Sequence, residues 1–194
     1  MCTFRSIDPQ RPARHAKHQL IERFGLIPHP EGGHYRETHR DPARVARITG
    51  TNDEQRIVTS EASRSASTCI YYMLCDGAYS AWHRIRSDEI WHFYAGDPLD
   101  VHVLDDAGQL VTHRLGNALL RDDAVFQAVV PGGCWFAAEC PALEGEAEAG
   151  FALVGCTVAP GFEFSEFELA DADALVAAHP SHAALIRRLT PRVL

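Results

Sequence analysis

The feature that most constrains the fold is a run of short apolar segments that begins at Thr68 and is repeatedly interrupted by turn-forming sequence. The interruptions are CDG, RSD, GDP, DDAG, LGN and PGG, followed by an acidic EGEAEAG loop. Many short strands separated by Gly- and Pro-containing turns are typical of an antiparallel sandwich or barrel. The pattern predicts strands at 68–75, 79–85, 89–95, 99–104, 109–115, 124–130, 134–139 and 151–158.

The residues before this run have a different character. Residues 1–14 are predicted to be a loose arm. A short amphipathic helix is expected from His15 to Phe24, because Leu20 and its apolar neighbours fall on one side and Gly25 is placed to end it. The polar stretch 41–66 predicts a long surface loop with strand fragments.

The C-terminal residues return to helical periodicity. Helices are expected at 171–178 and 181–189, separated at Pro180 because proline cannot continue a helix. We interpret them as a hydrophobic cap. The chain is therefore predicted to be one mainly β domain over 1–194, with the arm at 1–14, a barrel core at 67–170 and a C-terminal helical segment at 171–190.

Charge and hydropathy narrow the classes of partner. The formal net charge is −8 and the pI is near 5.7, which argues against nucleic-acid binding, because phosphates require a basic face. The N-terminus lacks the apolar stretch of a signal peptide. No apolar run approaches the ~18 residues that a membrane span needs. A cytoplasmic location with no membrane partner is expected, and the six cysteines are expected to stay reduced.

The chemistry is concentrated on two neighbouring predicted strands. Two antiparallel strands joined by the tight RSD turn present alternate residues to the same face. His83 and Ile85 share that face on the first strand, and Glu89 opens the second. A histidine beside a carboxylate in a cavity is a candidate acid–base pair, so His83 and Glu89 are predicted to be catalytic. The alternative for His83 is a hydrogen-bonded core histidine.

Further residues are predicted to contact a small ligand. Trp91 and Phe93 share the face of Glu89, and Tyr72 faces the same way if its strand alternates. Such aromatic residues form either plain core or the apolar wall of a pocket. Tyr35 and Glu37 alternate on an extended segment and are expected to close the pocket mouth.

Two other groups have simpler interpretations. The Glu31-Gly32-Gly33 sequence is expected to be a turn in which the glycines supply positive φ. Three arginines either grip an anionic substrate such as a sugar phosphate or form pairs on solvated strand faces: Arg36, Arg84 and Arg86.

Five long blocks of sequence carry a family resemblance: PHPEGGHYRET (28–38), STCIYYML (67–74), SAWHRIRSDEIWHFYAGDPL (80–99), VVPGGCWFAA (129–138) and GCTVAPGFEFSEFELA (155–170). They look like cupin family five, a group of unknown function that is similar to the sugar-epimerase-like (RmlC-like) cupins. The resemblance implies a cupin jelly-roll barrel (double-stranded β-helix) and a homodimer. It does not imply a reaction.

The two cupin motifs can be located in this sequence. The stretch from Gly77 to Gly96 resembles the first motif, G(X)5HXH(X)3–4E(X)6G, with His83 and Glu89 in register but Ile85 at the second histidine position. The PGG turn resembles the second motif, in which Phe136 stands at the histidine position. Phe136 is therefore predicted to make the pocket more apolar.

The apolar residues at these two motif positions affect whether the site can bind a metal cofactor. In metal-binding cupins the motif positions hold imidazole and carboxylate ligands, and here two of them are apolar. A catalytic metal site usually needs about three protein ligands. We expect no cofactor; any divalent metal would bind weakly, through His83 and Glu89.

Three functions remain open at this stage. The first is a metal-independent carbohydrate isomerase or epimerase, in which His83 abstracts a proton next to a carbonyl and Glu89 stabilises the imidazolium. The second is a non-catalytic module or sensor that binds a small ligand. The third is a metal-dependent cupin enzyme with a degenerate site. Whether the chain is an enzyme is left undecided by its sequence.

Overall fold

A computed structural model of the chain describes residues 16–46, 63–105, 107–141 and 150–191. The predicted arm at 1–14 lies outside the described residues, as do 47–62 of the predicted surface loop and nearly all of the acidic EGEAEAG loop. Within the described residues the chain is mainly β, as predicted.

Short strands with polar turns can bury only one face each, and here they do so by packing in two antiparallel sheets. The first sheet has the order β1-β2-β5-β12-β7-β10 and the second β13-β6-β11-β8-β9, while β3 and β4 pair alone. The strands are β1 (Ile27–Pro28), β2 (His34–Arg40), β3 (Arg44–Ala46), β4 (Ser63–Ser65), β5 (Thr68–Cys75), β6 (Tyr79–Arg84), β7 (Asp88–Gly96), β8 (Leu99–Leu104), β9 (Leu110–Leu115), β10 (Gln127–Val130), β11 (Trp135–Glu139), β12 (Phe151–Ala159) and β13 (Glu168–Leu169).

Every strand predicted between residues 68 and 158 is present. The largest difference is at β10, which begins at Gln127 rather than at residue 124. The reason is a change of partner: the backbone N–H of Val125 donates to Arg114, and Val125 accepts from Gly116, so this residue bonds to the end of β9 and not to β7.

The core lies between the two sheets, because alternate residues of both point inward. Tyr72 and Trp91 enter it from the first sheet, and Val101 and Phe136 enter it from the second. This common apolar layer makes the two sheets a jelly-roll sandwich of the cupin type. It also fixes which strand faces can line an internal cavity.

The N-terminal helix α1 (Ala16–Phe24) covers one end of the first sheet's outer face. It ends where Gly25 adopts a φ of +60°, as the sequence predicts. Its apolar side packs on a buried cluster of Met73, Phe151 and Leu153. The helix thus shields apolar residues that the strand alternation turns away from the main core.

The predicted C-terminal helices are α2 (Ala172–Ala178) and α3 (Ala183–Arg188), joined by a 3₁₀ turn at Pro180–His182. Asp171 caps α2 by accepting from the backbone N–H of Ala174 at 2.8 Å. Leu175 and Ile186 pack on Trp82 of the second sheet. None of the described helices has the length and hydropathy needed to cross a membrane.

Ile186→Ala tests whether this cap belongs to the cooperative fold. Ile186 is fully buried, so truncation should lower the free energy of unfolding by about 2–4 kcal/mol in urea titration. The matched control is Arg187→Ala on the same helix, whose ion pair with Asp173 is exposed; its loss should stay within about 0.5 kcal/mol. Equal small losses in both variants would show that the cap folds separately.

Candidate functional site

A cavity of about 290 Å³ lies at one end of the sandwich, between the inner face of the first sheet and strand β6. Its wall contains an unusual number of ionisable side chains for so small a space. They come from the β1–β2 turn and from strands β2, β6 and β7: His29, Glu31, Glu37, Arg40, His83 and Glu89. Ionisable groups are rarely buried without pairing, so their partners define what the cavity can do.

His83 on β6 is buried and has both ring nitrogens engaged. Its Nδ1 lies 2.7 Å from the carbonyl oxygen of Ala81. Because a carbonyl only accepts, Nδ1 carries a proton there. Its Nε2 lies 3.1 Å from Oε2 of Glu31. A hydrogen bond across this second gap requires another proton, on either Nε2 or the carboxyl, so His83 and Glu31 share one proton.

Glu31 is held in the cavity by a tight turn. Ser80 donates to its Oε1 at 2.9 Å, and its own carbonyl accepts from the backbone N–H of Ala81 at 2.8 Å. The turn requires glycine at the next position: Gly32 has a φ of +114°, and a Cβ there would come within 2.1 Å of the carbonyl oxygen of Tyr79. The PHPEGG sequence therefore delivers a buried carboxylate to β6.

This geometry corrects the predicted pairing of His83. The sequence places His83 beside Glu89, but the carboxylate in contact with the imidazole is that of Glu31. Glu89 lines the same cavity from β7. Local alternation predicts that His83 and Glu89 face one space, whereas the Glu31 contact depends on a turn 52 residues earlier in the chain, and no local pattern reports it.

Glu89 is buried and has a strongly altered acidity. Burial raises the pKa of Glu89 to about 8, and the negative charge of Glu31 adds to the rise. The Trp91 indole and the Cys156 thiol lower this pKa in part. The indole N–H comes near the carboxyl without completing a hydrogen bond of normal geometry. Glu89 is therefore mostly protonated at neutral pH and able to donate a hydrogen bond.

Two more groups of the wall are kept neutral. Burial lowers the pKa of His29, an effect that Glu31 opposes and that His83 reinforces. Burial and the charge of Glu31 raise the pKa of Tyr72 well above its usual value. The Tyr72 hydroxyl donates to the carbonyl oxygen of Gly32 at 2.8 Å, which secures the same turn that carries Glu31.

Aromatic rings form much of the remaining wall. Trp91 meets Tyr72 edge-on, with ring centroids 5.7 Å apart. Tyr35 meets His29 edge-on at 4.5 Å. The segment after β12 adds the rings of Phe162 and Phe164, whose centroids are 4.9 Å apart. The structure thus places two phenylalanine rings of this segment in the cavity wall.

Of the six residues predicted to bind a ligand, four lie in the cavity wall and two do not. Tyr35, Glu37, Tyr72 and Trp91 line the cavity. Phe93 and Phe136 are not part of its wall: Phe136 packs on the His83 ring at 4.0 Å, and Phe93 packs against the core nearer the far end of β7. Their contact with a ligand stays a prediction.

The exposed rim of the cavity carries ion pairs around Arg40. Its guanidinium donates to both carboxylate oxygens of Glu37, at 3.0 and 2.8 Å, and to Glu163 at 3.0 Å. A further hydrogen bond of 3.2 Å reaches the carbonyl oxygen of Phe162. These bonds tie β2 to the segment that carries the two phenylalanine rings.

Comparison with known proteins identifies the family of this chain. The family described as "Cupin superfamily (DUF985)" matches residues 18–170. This chain is a member of that cupin family. A curated relative, the uncharacterized protein YML079W of Saccharomyces cerevisiae, is 34% identical over 152 residues, which are 76% of this chain and 72% of the relative.

Two solved structures resemble this cupin closely. A hypothetical protein from Leishmania major is 33% identical with a TM-score of 0.75, and the match covers 89% of this cupin and 97% of that chain. Protein SO0799 from Shewanella oneidensis is 34% identical with a TM-score of 0.70, and the match covers 89% and 96% respectively. The family match at 18–170 includes both sheets and the turn that carries Glu31.

At the two cupin motif positions that hold a second and a third histidine, this cupin carries apolar residues. Ile85 lines the cavity and Phe136 covers the His83 ring, so neither motif position offers a donor atom. The two nitrogens of His83 are directed at Ala81 and Glu31. Among the described residues, no group of three or more His, Cys, Asp or Glu side chains is arranged to hold a metal.

Glu89→Gln tests the raised pKa of Glu89 through protein stability. The folded-state pKa of about 8 exceeds the ordinary 4.5, so between these values the unfolded chain has lost a proton that the folded chain keeps. The free energy of unfolding of the wild type should therefore fall as pH rises from 5 to 8. The glutamine variant lacks this fall, and between pH 5 and pH 8 its stability relative to the wild type should rise by about 3–4 kcal/mol.

Urea titrations at pH 5, 6.5 and 8 measure this difference. The control is Glu168→Gln, which removes an exposed carboxylate paired with Arg84 and should follow the wild-type pH dependence. Parallel pH curves for the wild type and Glu89→Gln would show that Glu89 ionises normally.

Proposed function

We propose that this cupin binds a small molecule in the cavity and transfers a proton at a carbon next to a carbonyl, as a metal-independent isomerase or epimerase of a carbohydrate-like substrate. The observation that carries the proposal is the buried His83–Glu31 pair facing the same space as a protonated Glu89. Groups whose environments set their acidities apart are suited to separate acid and base roles.

The proposed step uses the two sides of the cavity differently. The Glu31 carboxylate, held against protonated His83, accepts the proton from carbon while the C–H electron pair moves into a C=C bond. Glu89 donates its proton to the carbonyl oxygen, which gives an enediol. Delivery of a proton to the neighbouring carbon gives the isomer, as the other hydroxyl passes its proton to Glu89 and becomes the new carbonyl. Delivery to the other face of the original carbon gives the epimer, as the first hydroxyl returns its proton to Glu89 and the original carbonyl re-forms. Tyr35 and Tyr72, both in the wall, are the candidates for return from that face.

Glu31 replaces Glu89 as the group that stabilises the imidazolium. In the sequence interpretation Glu89 held that role, but Glu31 is the carboxylate in contact with His83. Ser80 fixes the carboxylate from its other oxygen, so the pair is already oriented before a ligand arrives. Preorganised polar groups of this kind cost no rearrangement during reaction.

A second candidate function is passive binding of a small ligand. The aromatic wall favours it, because rings from β2, β5, β7 and the segment after β12 surround a space that suits one ring-shaped molecule. In that case the polar groups would only orient the ligand. Binding without turnover separates this function from the first.

Hydrogen–deuterium exchange at carbon tests the proposed reaction without knowledge of the final product. We expect the protein to exchange the α-hydrogen of at least one aldose or ketose from a panel in D₂O, followed by proton NMR. Glu31→Gln and Glu89→Gln should each lower the rate by at least about 100-fold. The wild-type rate should fall as pH rises through about 8, where Glu89 loses its proton.

Controls separate chemistry from folding and from metals. Glu168→Gln, outside the cavity, should exchange at the wild-type rate. Treatment with EDTA, checked by elemental mass spectrometry, should leave exchange unchanged if no metal takes part. Loss of exchange on chelation would restore a metal-dependent mechanism. A sugar that raises the melting temperature but never exchanges would favour passive binding.

We also propose that two copies associate through the edge of the first sheet, in a cytoplasmic homodimer. Strand β10 is an edge strand, and it exposes apolar side chains that an isolated chain would leave in water. Phe126 is 47% exposed and Val129 is 47% exposed. Burial of this strip against a symmetric copy would cover the unpaired edge.

Sedimentation equilibrium tests this association. The wild type should sediment at twice the mass of one chain, and Phe126→Glu should sediment at the mass of one chain. Val111→Glu is the matched control, because Val111 is 44% exposed on the edge of the other sheet. A monomeric wild type would contradict the proposal.

A further inference from the structure

We infer that the cavity selects an uncharged, single-ring ligand and rejects anions, through the charges of its wall and the pairing of Arg40 with two carboxylates at its mouth. The inference rests on the proposed function in one respect only, that this cavity is the ligand site. It narrows the substrate class from carbohydrates in general to those without phosphate or carboxylate.

The interior of the cavity offers an anion no net positive charge. Glu31 and Glu89 both face it, and both are buried. An anion placed beside them would lose its hydration and meet a carboxylate whose charge is compensated only by the proton shared with His83. Like-charge contact in a buried space strongly disfavours binding, whereas a neutral hydroxyl or carbonyl can use the same groups as hydrogen-bond partners.

Arg40 is the one arginine or lysine among the described residues of the wall. Four hydrogen bonds already occupy its guanidinium: two to Glu37, one to Glu163 and one to the carbonyl oxygen of Phe162. An incoming phosphate would have to displace two carboxylates that are already in contact. The mouth therefore carries no available positive charge to attract an anion.

The three arginines considered for an anionic substrate lie elsewhere. Arg36 reaches the carbonyl oxygen of Phe24 at the end of α1. Arg84 pairs with Glu168 and lies over the ring of Trp135, 4.5 Å from its centroid. Arg86 lies 3.7 Å from Glu166. None of the three is part of the cavity wall.

The size of the cavity agrees with one small ring. Its volume of about 290 Å³ lies at the lower limit of the ~300–1,000 Å³ typical of small-molecule sites. Rings from Tyr72, Trp91 and Phe162 face the space, and such flat apolar surfaces suit stacking with a sugar ring or a heterocycle. A nucleotide-linked sugar would not be enclosed.

Quenching of Trp91 fluorescence tests the charge selectivity without a known ligand. The protein has three tryptophans, and Trp82 is fully buried away from the cavity, so it adds an unquenched background. In Trp135→Phe, Trp91 is therefore the residue that a quencher in the cavity can reach. In Trp91→Phe, the half-buried Trp135 beside Arg84 serves as the control on the same protein.

Three quenchers of different charge are compared: acrylamide, iodide and caesium, each normalised to N-acetyltryptophanamide. At Trp91 we expect the acrylamide constant to exceed those of iodide and caesium by at least about tenfold. At Trp135 the iodide and acrylamide constants should differ by less than about threefold, since Arg84 attracts the anion.

A charge variant tests the role of Arg40. In the Trp135→Phe background, Glu37→Gln removes a partner of Arg40 and should raise iodide quenching of Trp91 at least about threefold. Glu168→Gln in the same background removes one equivalent charge beside Arg84, outside the cavity, and should leave it unchanged. An equal rise in both variants would assign the effect to net charge and overturn the role of Arg40.

The other possible quenching results also test the proposed selectivity. Iodide that quenches Trp91 within twofold of acrylamide would show that anions are admitted. Caesium that matches acrylamide would indicate a cationic ligand instead, and no acrylamide quenching would show a cavity closed to uncharged molecules. Because quenching is measured on the resting protein, a failure of the proposed exchange chemistry leaves this selectivity standing, and the reverse also holds.

Discussion

The buried carboxylate of Glu31 is the constraint on which the rest of the site depends. A carboxylate that is 8% exposed must find partners, and it finds them in Ser80 and His83 of the same strand. Its charge also raises the pKa of both Glu89 and Tyr72. One side chain thus links the β1–β2 turn to β6 and adds to the effect of burial in keeping Glu89 and Tyr72 neutral.

The two walls of the cavity have different chemical characters for a physical reason. On the β6 side, short polar contacts keep Glu31 and His83 together around one proton. On the β7 side, Glu89 lies among Trp91 and Cys156, where little compensates a negative charge, so the carboxyl keeps its proton. The aromatic rings of the wall supply this low polarity.

The sequence predicts the fold far better than the site. Strand alternation and turn residues report β5 to β12 directly, because each signal is local. His83, Glu89, Tyr72 and Trp91 follow from the same alternation, and all four line the cavity. His29 and Glu31 were missed because their contacts cross the chain; the available signal was an acidic residue directly before two glycines in a segment too irregular for a strand. Phe136 shows the opposite error, because it was assigned to the pocket and is not in the cavity wall. Its side chain faces the interior of the sandwich, but it packs against the ring of His83.

The position of Glu31 also bears on what part of this protein could be inherited or transplanted as a unit. A barrel delimited by its continuous strands would begin near β5, yet the partner of His83 lies upstream, in a turn held by Tyr72 and by the close approach of Gly32 to Tyr79. Recombination at the obvious strand boundary would preserve the sandwich and separate the imidazole from its carboxylate. The smallest module that carries the chemistry therefore starts before β1, and the N-terminal hairpin is part of the site rather than an appendage to it.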